Sequence, residues 1–421
     1  MDNKVANHVK RNVKLDYIST FITNLNMQSS IWVLYLAYCG LSLAQIGLVE
    51  GIYHATSILF EIPSGALADL LGRKRCMILS RICIAISCMI MLFAKGFWFF
   101  ALSFVIQALG NNLNSGSEEA LIYDSMKYTG QEDQYIHVYG KINFIIEVSQ
   151  GIATVAGGIL AEFSYFWCYG ACLIIAVLAL IPVVFMAEVP LVISCTSEHP
   201  QNPNSQTDSP LSHPFQKSTP TRESIRQMVT FHFKTCFQIL KSDIRILKII
   251  TYYSTVFAAQ TLLFFYSQQY YFEMGYNKIQ ISFILLIAGV LSCAGAVASE
   301  KLFRRFGEKI AFIGTLAIAI AFVGYGFQNI FLSITVFCIA GFFNSVLYPV
   351  QSELLNRLIP SKQRATLISV NSMFFSIAMI LLFPLAGMLA DKWGLTAVFV
   401  GIGVVLLIFT IRWNFRDSYK K

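Results

Sequence analysis

Charge is scarce in this chain. Asp, Glu, Lys and Arg make up only 13% of its 421 residues, against 56% apolar, about half the charged fraction of an ordinary soluble domain. That leaves too little polar surface to clothe one water-soluble globule of this size. Histidine is also sparse, with six residues that do not cluster, and the ten cysteines are scattered mostly through apolar runs. No paired-cysteine spacing of the metal-binding kind occurs. Cys168 and Cys172, one helical turn apart, suit packing as small hydrophobes. Neither a disulfide framework nor a metal site is expected. The chain has no glycine-rich lysine turn for nucleotide phosphates and no HExxH helix. An ATP-driven machine, an enzyme and a resident cofactor are therefore not expected, nor is a nucleic-acid partner. A cleavable leader is not expected either. The basic start (Lys4, Lys10, Arg11, Lys14) leads into a run too long for a signal h-region and without a small-residue cleavage site.

What the chain has in abundance is long apolar runs. A bilayer crossing needs roughly 20 apolar residues. Twelve runs qualify, near 16–38, 44–68, 76–94, 97–122, 138–162, 166–187, 247–270, 279–300, 310–328, 331–355, 366–390 and 395–412. Of the 31 Lys and Arg residues, all but Lys95, Lys278 and Lys392 fall on one side of these spans. Retention of basic loops in the cytoplasm predicts both termini inside. Residues 189–221, rich in Pro, Ser, Asn and Gln, read as a linker. Residues 224–241 alternate apolar with basic at helical period, as a helix lying on the inner membrane surface would. The organisation expected is an N-terminal six-helix half over 1–188, a cytoplasmic linker with an amphipathic helix over 189–243, and a C-terminal six-helix half over 244–421.

A pentad recurs along the chain. Gly65-Ala66-Leu67-Ala68-Asp69 ends span 2, Gly158-Ile159-Leu160-Ala161-Glu162 ends span 5 and Gly387-Met388-Leu389-Ala390-Asp391 ends span 11. A degraded copy, Ser299 to Gly307, ends span 8. Spans 2, 5, 8 and 11 then read as one helix in four copies of a three-helix unit, the periodicity of transporters built from inverted repeats. After span 2 the chain continues Leu70-Leu71-Gly72-Arg73-Lys74-Arg75. This Gly-Asp-Gly turn with its basic triplet resembles the loop between helices 2 and 3 of the major facilitator superfamily. Glu61-Ile62-Pro63-Ser64-Gly65 in span 2, Ser115 to Asp124 leaving span 4, and Pro360 to Thr366 entering span 11 extend the resemblance over essentially the whole chain. They are similar to bacterial members described as efflux-type or of unassigned substrate. The resemblance implies an all-α membrane protein with twelve transmembrane helices in two pseudo-symmetric six-helix halves. It also implies a gating cluster of Gly65, Asp69, Gly72, Arg73 and Asp124 that meets the start of span 11 when the cytoplasmic side is shut. In that cluster Gly72 is expected to take a positive φ, and Gly65 to let helices approach closely. Two features depart from the drug–proton antiporters of the family. Span 4 has no Arg or Lys between Phe97 and Tyr123, and span 5 reads Ala153-Thr154-Val155-Ala156-Gly157-Gly158 where those proteins carry Gly-Pro-x-x-Gly-Gly.

Ionisable groups inside a membrane need a reason, since each costs several kcal/mol. Glu50, His54, Ser57 and Glu61 share one face of span 2 at steps of 4, 3 and 4, so a proton could pass along them. The same stripe could equally serve as a polar packing face. Glu147, a third of the way into span 5, is the leading candidate for the proton carrier, followed by Glu50, His54 and Glu61. Glu118 and Glu119 are expected to be structural. Polar side chains expected in the substrate cavity are Asn24, Asn26, Gln28, Asn111, Asn112, Asn114, Gln150, Tyr253, Gln260, Asn344, Tyr348 and Asn371, with dense aromatics in span 7. An aromatic cavity with few fixed charges suits a lipophilic or weakly cationic substrate. The leading expectation is a secondary active transporter exporting small lipophilic compounds against protons. It would work as a monomer in the lipid bilayer of a bacterial inner membrane. Import of a sugar, amino acid or organic acid by the same fold, and a transport-dead sensor, are the alternatives.

Overall fold

The computed structural model describes residues 3–189, 243–358 and 364–413, apart from the side chains of residues 3–6, 66, 69 and 364–366. The amphipathic segment expected over 224–241, and most of the linker around it, lie outside the described residues. The first group of helices is α1 (Asn3–Lys10), α2 (Asn12–Asn24), α3 (Trp32–Tyr38), α4 (Leu43–Leu71), α5 (Arg73–Phe93), α6 (Phe97–Asn114), α7 (Ser117–Tyr128), α8 (Tyr135–Phe163), α9 (Tyr165–Leu178) and α10 (Leu180–Phe185). The second group is α11 (Ile244–Glu273), α12 (Lys278–Phe306), α13 (Lys309–Gly324), α14 (Ile330–Leu358), α15 (Arg364–Trp393) and α16 (Leu395–Arg412). No strand occurs among the described residues. Helices are the natural outcome for runs this apolar, because a lipid-facing backbone must satisfy its own polar groups.

Among the described residues, ten helical segments are long and apolar enough to cross a membrane. Large apolar side chains such as Trp98, Phe163, Val297 and Phe331 project outward from the bundle, each more than three-quarters exposed. Exposure of this kind suits lipid rather than water. The other two expected spans are interrupted. The first breaks after Asn24 into a 3₁₀ turn, Met27–Ser30, before α3 begins at Trp32. The fourth stops at Asn114, at the end of the polar run Asn111-Asn112-Leu113-Asn114, and restarts at Ser117.

Each group packs mainly on itself, and the two meet where α4 lies on α15, α8 on α12 and α3 on α11. We call the end carrying the Gly72 turn the signature end and the opposite one the far end. At the far end, α4 and α12 begin with the same device. Ser42 and Gln45 form a capping box on α4, and Asn277 and Gln280 form one on α12. In each case the N-cap side chain accepts from the N3 backbone N–H and the N3 amide answers back, satisfying two otherwise orphaned groups.

Candidate functional site

The seam between the two groups holds a cavity of about 280 Å³, and a second of about 180 Å³ shares the wall residue Thr261 with it. The broken first span supplies Asn26, Gln28 and Ser29 from its 3₁₀ turn and Trp32 from α3. Glu50, Tyr53 and His54 come from α4, Phe104 and Gln107 from α6, Thr261 and Phe265 from α11, and Phe375 from α15. Irregular backbone at membrane depth is tolerated where it lines a cavity, and the break falls there. The second cavity is walled by Gln260, Phe264, Phe337 and Asn344, with Ala288, Gly289 and Ser292 of α12 and Gly341 of α14. The amide oxygens of Gln260 and Asn344 are buried without a hydrogen-bond partner. An occupant carrying N–H or O–H groups could satisfy both.

Ionisable chemistry in the cavity is concentrated on α4. Glu50 and His54 are 7% and 8% exposed. His54 Nε2 lies 3.5 Å from Glu50 Oε1 on its own helix, and Nδ1 lies 3.2 Å from Ser376 Oγ on α15. The imidazole therefore spans the seam. A neutral ring with its hydrogen on Nε2 donates to Glu50 and accepts from Ser376, whereas a protonated ring donates at both nitrogens and obliges the serine to accept. Adding a proton thus rewires a contact between the two groups of helices. No Lys or Arg is among the residues lining either cavity.

At the signature end, Gly72 takes φ +92° and ψ 150° as the N-cap of α5. The Glu188 carboxylate caps that helix, accepting from Arg73 N at 2.9 Å and Lys74 N at 3.0 Å. The Arg73 guanidinium donates to Ala120 O at 2.6 Å and forms an ion pair with Asp124. The structure thus brings Arg73 and Asp124 together. The Asp69 side chain and the loop before α15 lie outside the described residues.

The far end shows what two of the recurring pentads do. Asp391, closing α15, accepts from Leu43 N and Ala44 N at the start of α4, both at 2.9 Å. Glu162, closing α8, accepts from Lys278 N at the start of α12 at 2.9 Å, with Lys278 Nζ 3.9 Å away. Each acid answers the positive end of a helix from the opposite group. The pentad glycines make this possible. A Cβ on Gly387 would lie 2.2 Å from Leu43 O, and one on Gly158 would lie 2.4 Å from Ser282 and 2.8 Å from Lys278 O. Tyr266 of α11 adds hydrogen bonds to Leu43 O and Phe383 O at 3.1 and 3.2 Å, and Gln268 adds one to Ser29 O at 3.1 Å. These contacts tie the two groups of helices together at the far end.

Several expected site residues lie elsewhere. No atom of the described residues comes within 4 Å of a Cβ placed on Gly65, whereas close approach is seen at Gly158 and Gly387. Glu147 is exposed and lines neither cavity. The phase of α8 turns it toward α12, where its Oε2 accepts from Cys293 Sγ at 3.4 Å. Glu61 is half-buried and faces Ser369 of α15. Among the cavity candidates, Asn26 and Gln28 line the first chamber, and Gln260 and Asn344 the second. Asn24 instead accepts from Gln150 at 3.2 Å, and Asn112 pairs with Ser57. Asn111 donates to Tyr53 and Asn114 to Glu118, while Asn371 accepts from Gln351 at 2.7 Å. Tyr253 is wholly buried, and Tyr348 is 63% exposed with its ring against Phe257 of α11. Sequence reasoning missed Tyr53, Phe104, Gln107 and Phe375 in the cavity wall, since single residues on apolar helices carry no mark of the direction they face. It also missed Asp16 and Arg81, which are buried together between α2 and α5.

The family profile of the Major Facilitator Superfamily matches residues 17–326 and 305–421. Among proteins of known sequence, the chain is similar to an uncharacterized MFS-type transporter, YxaM, of Bacillus subtilis (strain 168). The two are 25% identical over 413 residues, covering 93% of each. Among solved structures it is similar to the nucleoside transporter NupG, with a TM-score of 0.74 at 14% identity, covering 97% of this chain and 100% of that one. It is also similar to a peptide transporter, POT, in complex with sulfate, with a TM-score of 0.74 at 14% identity, covering 95% and 93%. At these identities the structures speak for the fold alone.

Proposed function

The chain belongs to the Major Facilitator Superfamily, and we propose that within it this transporter exports small lipophilic, weakly basic compounds in exchange for protons. The observation that carries the reading is the Glu50–His54–Ser376 relay set in an aromatic cavity. Trp32, Tyr53, Phe104, Phe265 and Phe375 offer ring faces to an apolar or cationic body. The unpartnered oxygens of Gln260 and Asn344 offer acceptors to its N–H groups. A cation and a proton would compete for Glu50, which is the thermodynamic requirement for exchange. Within this reading Glu50 and His54 carry the proton and Glu147 does not. Asp69, Arg73 and Asp124 act as the gate at the signature end. Both termini face the cytoplasm of a bacterial inner membrane, on the distribution of Lys and Arg, and the monomer is the working unit.

Purified protein in liposomes with an imposed pH gradient tests this, using a panel of lipophilic bases beside nucleosides, peptides and sugars. Gradient-driven movement of a base is expected, with Glu50→Gln and His54→Asn losing driven accumulation while exchange at equal pH persists. Glu147→Gln keeps driven transport. Full driven transport by both Glu50→Gln and His54→Asn would sink the assignment. The amides of Asn26, Gln28 and Gln107 in the first chamber favour a second reading, import of a polar nutrient. Movement of a nucleoside or peptide, with no base transported, would select it.

A further inference from the structure

We propose that Asp16, Glu118 and Arg81 form a second proton-binding site at the signature end, in which one proton is held between the two carboxyl groups. None of the three lines either cavity, so the site is separate from the Glu50–His54 relay and does not depend on it.

Asp16, on α2, is 1% exposed, and neither of its carboxyl oxygens has a hydrogen-bond partner. A bare carboxylate so placed would cost several kcal/mol. The groups that bear on it are the Glu118 carboxyl of α7 and the Arg81 guanidinium of α5, with Tyr17 its neighbour along α2. Arg81 is 3% exposed. Its Nη2 lies 3.5 Å from Glu118 Oε1, while its Nε finds no acceptor. The second oxygen of Glu118 accepts from the Asn114 amide. One guanidinium thus faces two carboxyl groups, and with both ionised the trio carries one uncompensated negative charge, its Asp16 side buried and its Glu118 side partly exposed.

Arginine does not titrate in a protein, so the imbalance can be removed only at the acids. The Asp16 and Glu118 carboxyls bear on each other from adjoining helices, yet two carboxylates have no hydrogen to share. A bond between them exists when one of them is protonated, as in other closely set carboxyl pairs. A single proton then neutralises the trio and gives Asp16 the partner it lacks. The surroundings are suited to sensing that proton. One turn earlier on α2, Asn12 donates to Ser125 Oγ of α7 and exchanges hydrogen bonds with the Ala187 backbone, each at 2.8 Å. The proton therefore sits in a seam otherwise held by neutral contacts. Its loss would set two like charges across that seam, on the same helix α7 that carries Asp124.

Infrared difference spectroscopy on the full-length protein in nanodiscs, titrated across the neutral range in H₂O and D₂O, reads the proton without needing a substrate. Wild type is expected to show a protonated-carboxyl band that shifts in D₂O. The band is lost in both Asp16→Asn and Glu118→Gln and kept in Glu50→Gln. Asp16→Glu, which preserves two carboxyl groups and guards against misfolding of the asparagine variant, retains the band at a changed frequency. Absence of the band from wild type at every pH, its survival in both Asp16→Asn and Glu118→Gln, or its replacement by sodium at fixed pH would overturn the proposal.

Discussion

At Gly72 the backbone occupies φ +92°, ψ 150°, a region open essentially to glycine alone. A Cβ there would also press on the Glu188 carboxylate at 3.0 Å. Gly72→Ala is expected to destabilise the protein by about 1–3 kcal/mol, read as a lower melting temperature in detergent. Arg73 holds Ala120 O and Asp124 with one guanidinium. Both contacts come from one nitrogen, Nη1, which a single ammonium can also supply, so Arg73→Lys should keep more of the gate than Arg73→Ala when labelling of cysteines at the signature end is followed. Asp69→Asn should slow transport without preventing insertion, and unchanged rates with unchanged labelling would remove it from the gate. The Arg73–Asp124 pair could be anticipated because the resemblance of the Gly72 turn to the family's loop implies it. Asp16 with Arg81 could not, because the two lie on different helices and no spacing along the chain relates them.

Among the helices, the contacts that matter most are caps supplied by distant parts of the chain. Asp391 meets α4 from 348 positions away, and Glu188 meets α5 from 115. A cap of this kind is worth about 1 kcal/mol. Asp391→Asn should therefore weaken the far-end tie modestly, and Asp391→Ala more. A cleaner test comes from the first residue of α4. Leu43 is the first helical position, where proline is tolerated, and Ser42 before it is already extended at φ −71°, ψ 161°. Leu43→Pro should delete one donor to Asp391 and leave the helix intact. Equal melting temperatures with greater far-end labelling are expected, and a loss of helix by circular dichroism would refute the reasoning. The pentads were legible in the sequence as repeats, but not what they hold. The receiving Ser42-Leu43-Ala44-Gln45 and Asn277-Lys278-Ile279-Gln280 segments share only a cap residue and a glutamine. The facing of each helix was equally hidden. In lipid the outward side chains are as apolar as the inward ones, so periodicity says little about which way Glu147 or Tyr348 points.

For the molecule as a whole, the tied far end means that transport requires both clamps to part. Gly158→Leu with Gly387→Leu should force them open, because each new side chain would overlap the start of the facing helix. A cysteine placed at Tyr53 in a background without other reactive thiols should then react with an impermeant maleimide added from the far side. The same cysteine in the otherwise unaltered protein stays protected, and equal reaction in both would sink the clamp. The clamp leaves an unusual trace in inheritance. Its donors are backbone N–H groups, which every residue except proline supplies. Drift at positions 43 and 44 is therefore nearly free, while Asp391 and Gly387 are pinned. Across relatives, those two positions would stand fixed with no covarying partner on the facing helix. A contact map inferred from covariation would then leave blank the part of the seam where α15 meets the start of α4.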